Sequence, residues 1–246
     1  MLTISGATRI LIDETTERDG DLGLDGAVVG TTPSPDATTP DLTIDATGCV
    51  VTPGLVNAHH HLMQSAFRTL PGTRGVPMAE WLPTMAAAYS RAGIDAELTS
   101  AAASVGVAEG LLCGVTTVAD HQLNWGGAST ETSVEIARAI TDAARRLGGR
   151  IAFVRGSARD DPQEAAASAT AIVEALLPGT TDGVSADGML QLAVGPAGVH
   201  SDSRETFELL GEVAARFGLR RRTQANEQVD VVIALEKYGK RPLDLL

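Results

Sequence analysis

From Pro53 onward, short apolar runs alternate with amphipathic stretches of helical period, and this alternation limits the folds open to the chain more than any other feature. The runs are Leu55 to Ala58, Val115 to Ala119, Ile151 to Val154, Leu190 to Val194 and Leu219 to Thr223. Between them, Ile136, Ala137, Ile140, Ala144 and Leu147 recur at helical spacing before Gly148-Gly149, and Phe207, Leu210, Ala214 and Phe217 do the same before Gly218. Asp161-Pro162 sets a capping side chain ahead of a proline suited to the first helical turn, with Glu164 at the capping-box spacing. Five such strand-helix units imply a parallel sheet with crossover helices. A closed eight-stranded barrel of these units takes about 250 residues by itself, so residues 53–246 read as an incomplete barrel. Val229 to Tyr238 forms a last helix stopped at Gly239, and Arg241 to Leu246 looks like the start of another element. The expectation is an α/β chain holding part of a TIM-like (β/α)8 barrel and truncated relative to a whole one.

Residues 1–52 have a different texture. Leu2 to Ile4, Arg9 to Ile12, Asp21 to Leu24 and Ala27 to Val29 are strand-like, Asp25-Gly26 suits a tight hairpin, and the Thr- and Pro-rich stretch from Gly30 to Pro40 reads as a loop. Leu42 to Ile44 and Cys49 to Thr52 complete a β-sandwich-like piece, part of a composite domain with a thin core.

Composition narrows the partners. A 43% hydrophobic content supports a sizeable core. Nineteen Lys and Arg against thirty-one Asp and Glu give a formal charge of −12, which repels phosphate backbones and anionic membrane surfaces, so neither nucleic acid nor membrane is an expected partner. There is no basic start followed by an apolar segment, and no run approaches the roughly twenty apolar residues of a membrane span. A cytoplasmic location is the default expectation. Cys49 and Cys113 form no metal-binding or redox spacing and read as small buried apolar residues.

The segment with chemical content is Pro53-Gly54-Leu55-Val56-Asn57-Ala58-His59-His60-His61-Leu62. On a strand, His59 and His61 share one face and His60 takes the other. Two imidazoles on one face at the end of a barrel strand are placed to share a divalent metal, and neutral imidazole suits zinc or ferrous iron. Seen alone, such a pair is as readily structural as metal-binding.

The run VTPGLVNAHHHL, preceded by IDATGCV, resembles the entry into the barrel of the amidohydrolase superfamily, and Leu111 to Gln122 (LLCGVTTVADHQ) looks like the second strand of its cytosine-deaminase, guanine-deaminase and triazine-hydrolase branch. HHHLMQ, from His59 to Gln64, is similar to the 8-oxoguanine deaminase and hydroxylated-triazine aminohydrolase subset. The resemblance implies one bound divalent metal, zinc or else iron, with His59 and His61 as ligands. It implies hydrolysis of a C–N bond in a nucleobase-, pterin- or triazine-like ring, with ring contacts from Gln64 and His121. In that branch a third His ligand and a proton-moving Glu lie in an HxHxxE stretch on strand five, and the aligned residues here are Arg222-Thr223-Gln224-Ala225-Asn226-Glu227. Glu227 is retained as the expected catalytic residue. Gln224 stands where the resemblance implies a metal-binding His, and a neutral amide oxygen is a weak match for zinc. Arg222 and Arg220 would face the same cavity, where a fixed cation opposes a divalent ion. A further His after strand six and an Asp after strand eight belong to parts of the barrel beyond these five units, so catalysis by this chain alone is expected to be impaired.

Two other readings stand beside this one. A non-catalytic remnant would need a second chain, or another copy of itself, to cover its open sheet edges. A triazine chlorohydrolase would keep the site and break a different bond. Among the remaining candidates, Trp81 and Trp125 read as packing anchors and His200 as a polar residue ahead of a helix. Lys237, Lys240 and Arg241 form a small basic cluster that suits a helix C-terminus.

Overall fold

A computed structural model describes residues 2–25, 28–30, 42–127 and 129–246. They fall into two compact units, Met1–Gly54 and Leu55–Leu246.

In the first unit, β1 (Leu2–Leu11) is the central strand of one mixed sheet. It pairs antiparallel with β2 (Glu17–Asp25) and parallel with β4 (Leu42–Asp45) and β5 (Val50–Val51), while β3 (Val28–Gly30) flanks β2. The two runs Leu2 to Ile4 and Arg9 to Ile12 are halves of this single strand, interrupted by register shifts on either side of Ala7. Such irregularities break the period-two pattern that marks a strand in sequence. Ala7, Ile10, Leu22 and Ala46 are the buried cluster, a core as thin as expected. Gly26 of the expected hairpin, and residues 31–40 of the expected loop, lie outside the described residues.

The second unit is built on five parallel strands: β6 (Leu55–His60), β7 (Val115–Gln122), β8 (Arg150–Ser157), β9 (Leu190–Pro196) and β10 (Arg220–Arg221), in spatial order β10-β9-β8-β7-β6. The crossovers are helical. A 3-10 turn (Leu62–Phe67), α1 (Met78–Ala92) and α2 (Ala96–Leu112) join the first two strands. Then α3 (Thr130–Arg146), α4 (Pro162–Leu176) and α5 (Arg204–Phe217) each link one strand to the next, and α6 (Gln228–Tyr238) follows β10. Helix starts are set by side chains that accept from backbone N–H groups left without partners in the first turn: Asp95 from Leu98, Ser129 from Thr132, Asp161 from Gln163 and Glu164, and Ser203 from Thr206.

The core lies between the sheet and its helices. Ile136, Ala137, Ile140, Ala143 and Ala144 of α3 are fully buried against a cluster that includes Phe153, Leu192, Ile172 and Leu210. Burying an aliphatic or aromatic side chain of this kind contributes about 1.5–3 kcal/mol. β8 and β9 are buried on both faces, as inner strands of a parallel sheet are. β6, at one edge, is mostly exposed, with Leu55 and Val56 open to solvent.

Three expectations change. Cys49 and Cys113 are exposed rather than buried, because each lies in a turn at the end of an element and not on its apolar face. The fifth strand is only Arg220–Arg221, and both arginines are exposed, since among the described residues this end strand pairs with β9 alone. Arg220 therefore does not point into a closed interior.

Candidate functional site at the strand ends

The loops that follow the parallel strands also carry the helix N-termini, so side chains at these strand ends gather around one mouth. His59 and His60 close β6, and His61 follows at the N-cap of the 3-10 turn. The alternation read from the sequence is realised. The rings of His59 and His61 are 5.2 Å apart, edge to face, while His60 turns toward α2, where its ring lies beside Gly106. His59 is exposed and His61 half-buried.

His61 is oriented by the next strand. Its Nδ1 lies 2.7 Å from the carbonyl oxygen of His121 at the end of β7. A carbonyl only accepts, so Nδ1 carries the proton. Burial holds the His61 pKa below its ordinary value, so the ring is neutral with Nε2 unprotonated, and the Gln224 side chain lies against it. A ligating histidine is tuned in this way by a carbonyl behind it.

His121 is held more tightly. Its Nε2 donates to the carbonyl of Gly195 at 2.9 Å, and burial pulls its pKa down to about 4. The ring is neutral, its Nδ1 is an acceptor, and the side-chain amide nitrogen of Gln224 donates to it at 3.3 Å. The rings of His61 and His121 stack with centroids 6.1 Å apart. Two glycines create the room. A Cβ on Gly195 would overlap the Arg222 carbonyl, and a Cβ on Gly156 would collide with the His121 ring and the Gln122 carbonyl.

Around this trio sit several charged groups. Asp120, next to His121, is completely buried; it accepts the backbone N–H of Leu62 at 2.7 Å, and burial pushes its pKa up to about 7. Arg222, half-buried, donates to the carbonyl of Ala58 at 2.8 Å, which brings a fixed cation beside the His59 backbone. Glu227 is the N-cap residue of α6, half-buried, and its carboxylate does not cap the helix. The loop carrying Gln224 and Glu227 is fastened by Asp230. That carboxylate accepts the N–H of Asn226 at 3.0 Å and both the N–H and Nδ1–H of His200 at 3.1 Å.

The structure thus joins His59, His61, His121 and Gln224 by ring contacts or hydrogen bonds. No hydrogen bond among the described residues joins Glu227 to them. Gln64 lies in the 3-10 turn beside the Tyr89 hydroxyl of α1, without completing a hydrogen bond to it. Trp125 is buried, donates to the Gly156 carbonyl at 2.9 Å and stacks under Arg155, an anchor as expected. His200 does more than precede a helix, since it shares Asp230 with the Glu227 loop. Gly156, Gly195 and Asp230 were not singled out from sequence; the two glycines interrupting otherwise apolar strands were the available signal.

As a metal site, the strand-one pair fits and the strand-five position does not. His59 and His61 bring two imidazoles side by side, that of His61 with an unprotonated Nε2. Gln224 has committed its nitrogen to His121, and among the described residues no three His, Cys, Asp or Glu side chains converge on one point.

The sequence profile of the amidohydrolase family matches residues 50–246. The chain is 32% identical over 214 residues to 8-oxoguanine deaminase of Pseudomonas aeruginosa, covering 82% of this chain and 46% of that protein. It is 31% identical over 217 residues to an isoxanthopterin deaminase from an unknown prokaryotic organism, covering 81% of this chain and 43% of the relative. In structure it superposes on the triazine hydrolase of Arthrobacter aurescens with a TM-score of 0.84 at 28% identity, over 100% of this chain and 57% of that one. The zinc complex of the atrazine chlorohydrolase from the same species gives 0.83 at 29%, again over 100% and 57%. The chain therefore spans about half the length of the relatives it matches.

Proposed function

Because the chain belongs to the amidohydrolase family, we propose that it carries the strand-one to strand-five half of a hydrolase site for C–N bonds in a nucleobase-, pterin- or triazine-like ring. The observation that carries this reading is the His61–His121 contact, which leaves the His61 Nε2 unprotonated, with the His59 ring 5.2 Å away. His59 and His61 are the proposed metal donors, for zinc or iron. Glu227 is the proposed proton carrier: its carboxylate takes one proton of the attacking water to the ring nitrogen, then moves the remaining hydroxyl proton to the leaving nitrogen, so that the C–N bond breaks and ammonia or an amine departs. Its freedom from helix capping suits that duty. Gln64 and His121 are the proposed contacts for the heterocycle, His121 through its ring face, since both of its nitrogens are engaged.

Position 224 is the proposed weak point. With glutamine there and Arg222 beside Ala58, the residues present do not complete a metal site, and turnover by these 246 residues alone is proposed to be impaired. Zinc affinity, measured by competition with a chromogenic chelator, tests the assignment. Gln224→His is expected to bind zinc at least roughly tenfold more tightly than the parent, a gain of about 1.4 kcal/mol, and the gain is expected to vanish when His61 is changed to Asn. Equal affinity of parent and Gln224→His would remove position 224 from the site.

One observation favours a second reading. The similarity to the atrazine chlorohydrolase structure covers the whole chain, so chloride release from a chlorinated triazine belongs beside ammonia release in any assay. The alternative of a non-catalytic chain that needs a partner draws on the exposed Leu55 and Val56 of edge strand β6.

A further inference from the structure

We infer that the ends of the first and fifth parallel strands are tied to one another and to the sheet by side-chain hydrogen bonds that need no divalent ion. The inference rests on the assignment of position 224 made above and concerns what has taken the ion's place.

A shared metal would crosslink strand one to strand five by drawing a bare donor from each. Here the strand-five donors are already used. The direction of the Gln224 contact is fixed by its neighbours: the Gly195 carbonyl accepts from His121 Nε2, so Nε2 holds the proton, so Nδ1 is the lone pair, so the Gln224 amide nitrogen is the donor. Gln224 therefore faces His121 with its N–H, and His121 is in turn bonded to β9. The second tie is direct. The Arg222 guanidinium reaches 2.8 Å to the Ala58 carbonyl, joining the end of β10 to β6 across 164 positions of sequence. β6 and β10 are the two ends of the five-stranded sheet, so this bond draws together strands that do not pair. The β10 end is seated as well: the Arg222 N–H donates to the Val194 carbonyl at 2.9 Å, and the Thr223 hydroxyl donates to the Pro196 carbonyl at 2.8 Å.

Both replacements act in the same sense. An imidazole at 224 would offer a lone pair to the metal, whereas the amide spends its N–H on His121. A cation at 222 makes the strand-to-strand bond that the metal would have made, and it repels a divalent ion brought to His59 and His61. Arginine suits such a bridge because it stays charged and carries five donors on a planar fork.

Thermal unfolding of the unmodified 246-residue chain in EDTA and in excess zinc is the first test. The midpoint is expected to agree within about 1 °C, since a ligand stabilises only a state that binds it. A rise of several degrees in zinc would overturn the inference, while leaving position 224 to be judged by the chelator competition on Gln224→His. Hydrogen exchange is the second test. In Arg222→Ala, the Arg222-position amide and the β6 amides are expected to exchange roughly tenfold faster, in EDTA and zinc alike, as loss of one tying hydrogen bond would give. Unchanged exchange in that variant would also overturn it. Should Arg222→Ala fail to fold, the zinc comparison on the parent chain still decides.

Discussion

The Nδ1 of His61 lies 2.7 Å from the backbone carbonyl of His121. Residues sixty positions apart thereby share one proton whose location is forced, since only the imidazole can supply it. The strand-one histidine is thus presented with its far nitrogen unprotonated before any ligand arrives. Long-range proton–nitrogen NMR correlations are expected to show His61 neutral at pH 7 with the hydrogen on Nδ1. A spectrum with the hydrogen on Nε2 would remove the orientation on which the proposed donor role depends.

Gly195 serves two contacts at once. Its carbonyl accepts from His121, and its missing side chain leaves space for the Arg222 carbonyl. In Gly195→Ala the obstacle is backbone, which cannot swing aside as a flexible side-chain tip can. The substitution is expected to cost about 3 kcal/mol or more, in the upper range for forced overpacking, and to loosen β10 before the rest of the sheet. Urea unfolding measures the cost, and hydrogen exchange locates it.

Asp120 makes stability depend on pH. Burial raises its carboxyl in the folded protein to about 7, against an unfolded value near 3.8. Between these values the unfolded chain has lost its proton while the folded chain keeps it, so the folded state binds more protons and stability falls as pH rises. The contribution is complete below the unfolded value and is lost by the time pH passes the folded one. Asp120→Asn keeps an oxygen for the Leu62 N–H and cannot ionise. Its unfolding midpoint is expected to change less between mildly acidic and neutral pH than that of the parent.

The Arg155 guanidinium is buried, 4% exposed, and its charge is balanced by Asp160 at 2.7 Å. It also donates to Ser168 and the Gly156 carbonyl and lies 4.8 Å from the centre of the Trp125 ring. Removing Asp160 strands a cation in the interior, which typically costs about 3–5 kcal/mol. Asp160→Ala is expected near the low end, because Asp160 itself is partly exposed. A loss under about 1 kcal/mol in chemical denaturation would mean that the hydrogen bonds alone suffice.

What the sequence disclosed, and what it concealed, follows from the range of the forces involved. Helix spacing on Ile136, Ile140 and Ala144, the cap at Asp161 and the alternation of His59 with His60 are local, and each emerges in the structure as read. The five-unit parallel order follows from the same local signals, because crossover helices leave few alternatives. The bonds from Arg222 to Ala58, Gln224 to His121 and His200 to Asp230 join residues 164, 103 and 30 positions apart. No periodicity encodes them. Sequence aimed the fixed charge of Arg222 into the same cavity as position 224, and the structure supplies the acceptor that local reading could not find. The cysteines went astray for a related reason: an apolar residue type says nothing about which side of a turn it will occupy.

If strand one supplies two imidazole donors and position 224 is where a third belongs, as proposed, zinc K-edge X-ray absorption on Gln224→His loaded with one equivalent of zinc will read all three. Three imidazole nitrogens at about 2.0–2.1 Å are expected, and one fewer in Gln224→His/His61→Asn. A shell of one imidazole completed by oxygen in Gln224→His, or a count that His61→Asn leaves unchanged, would contradict the proposal.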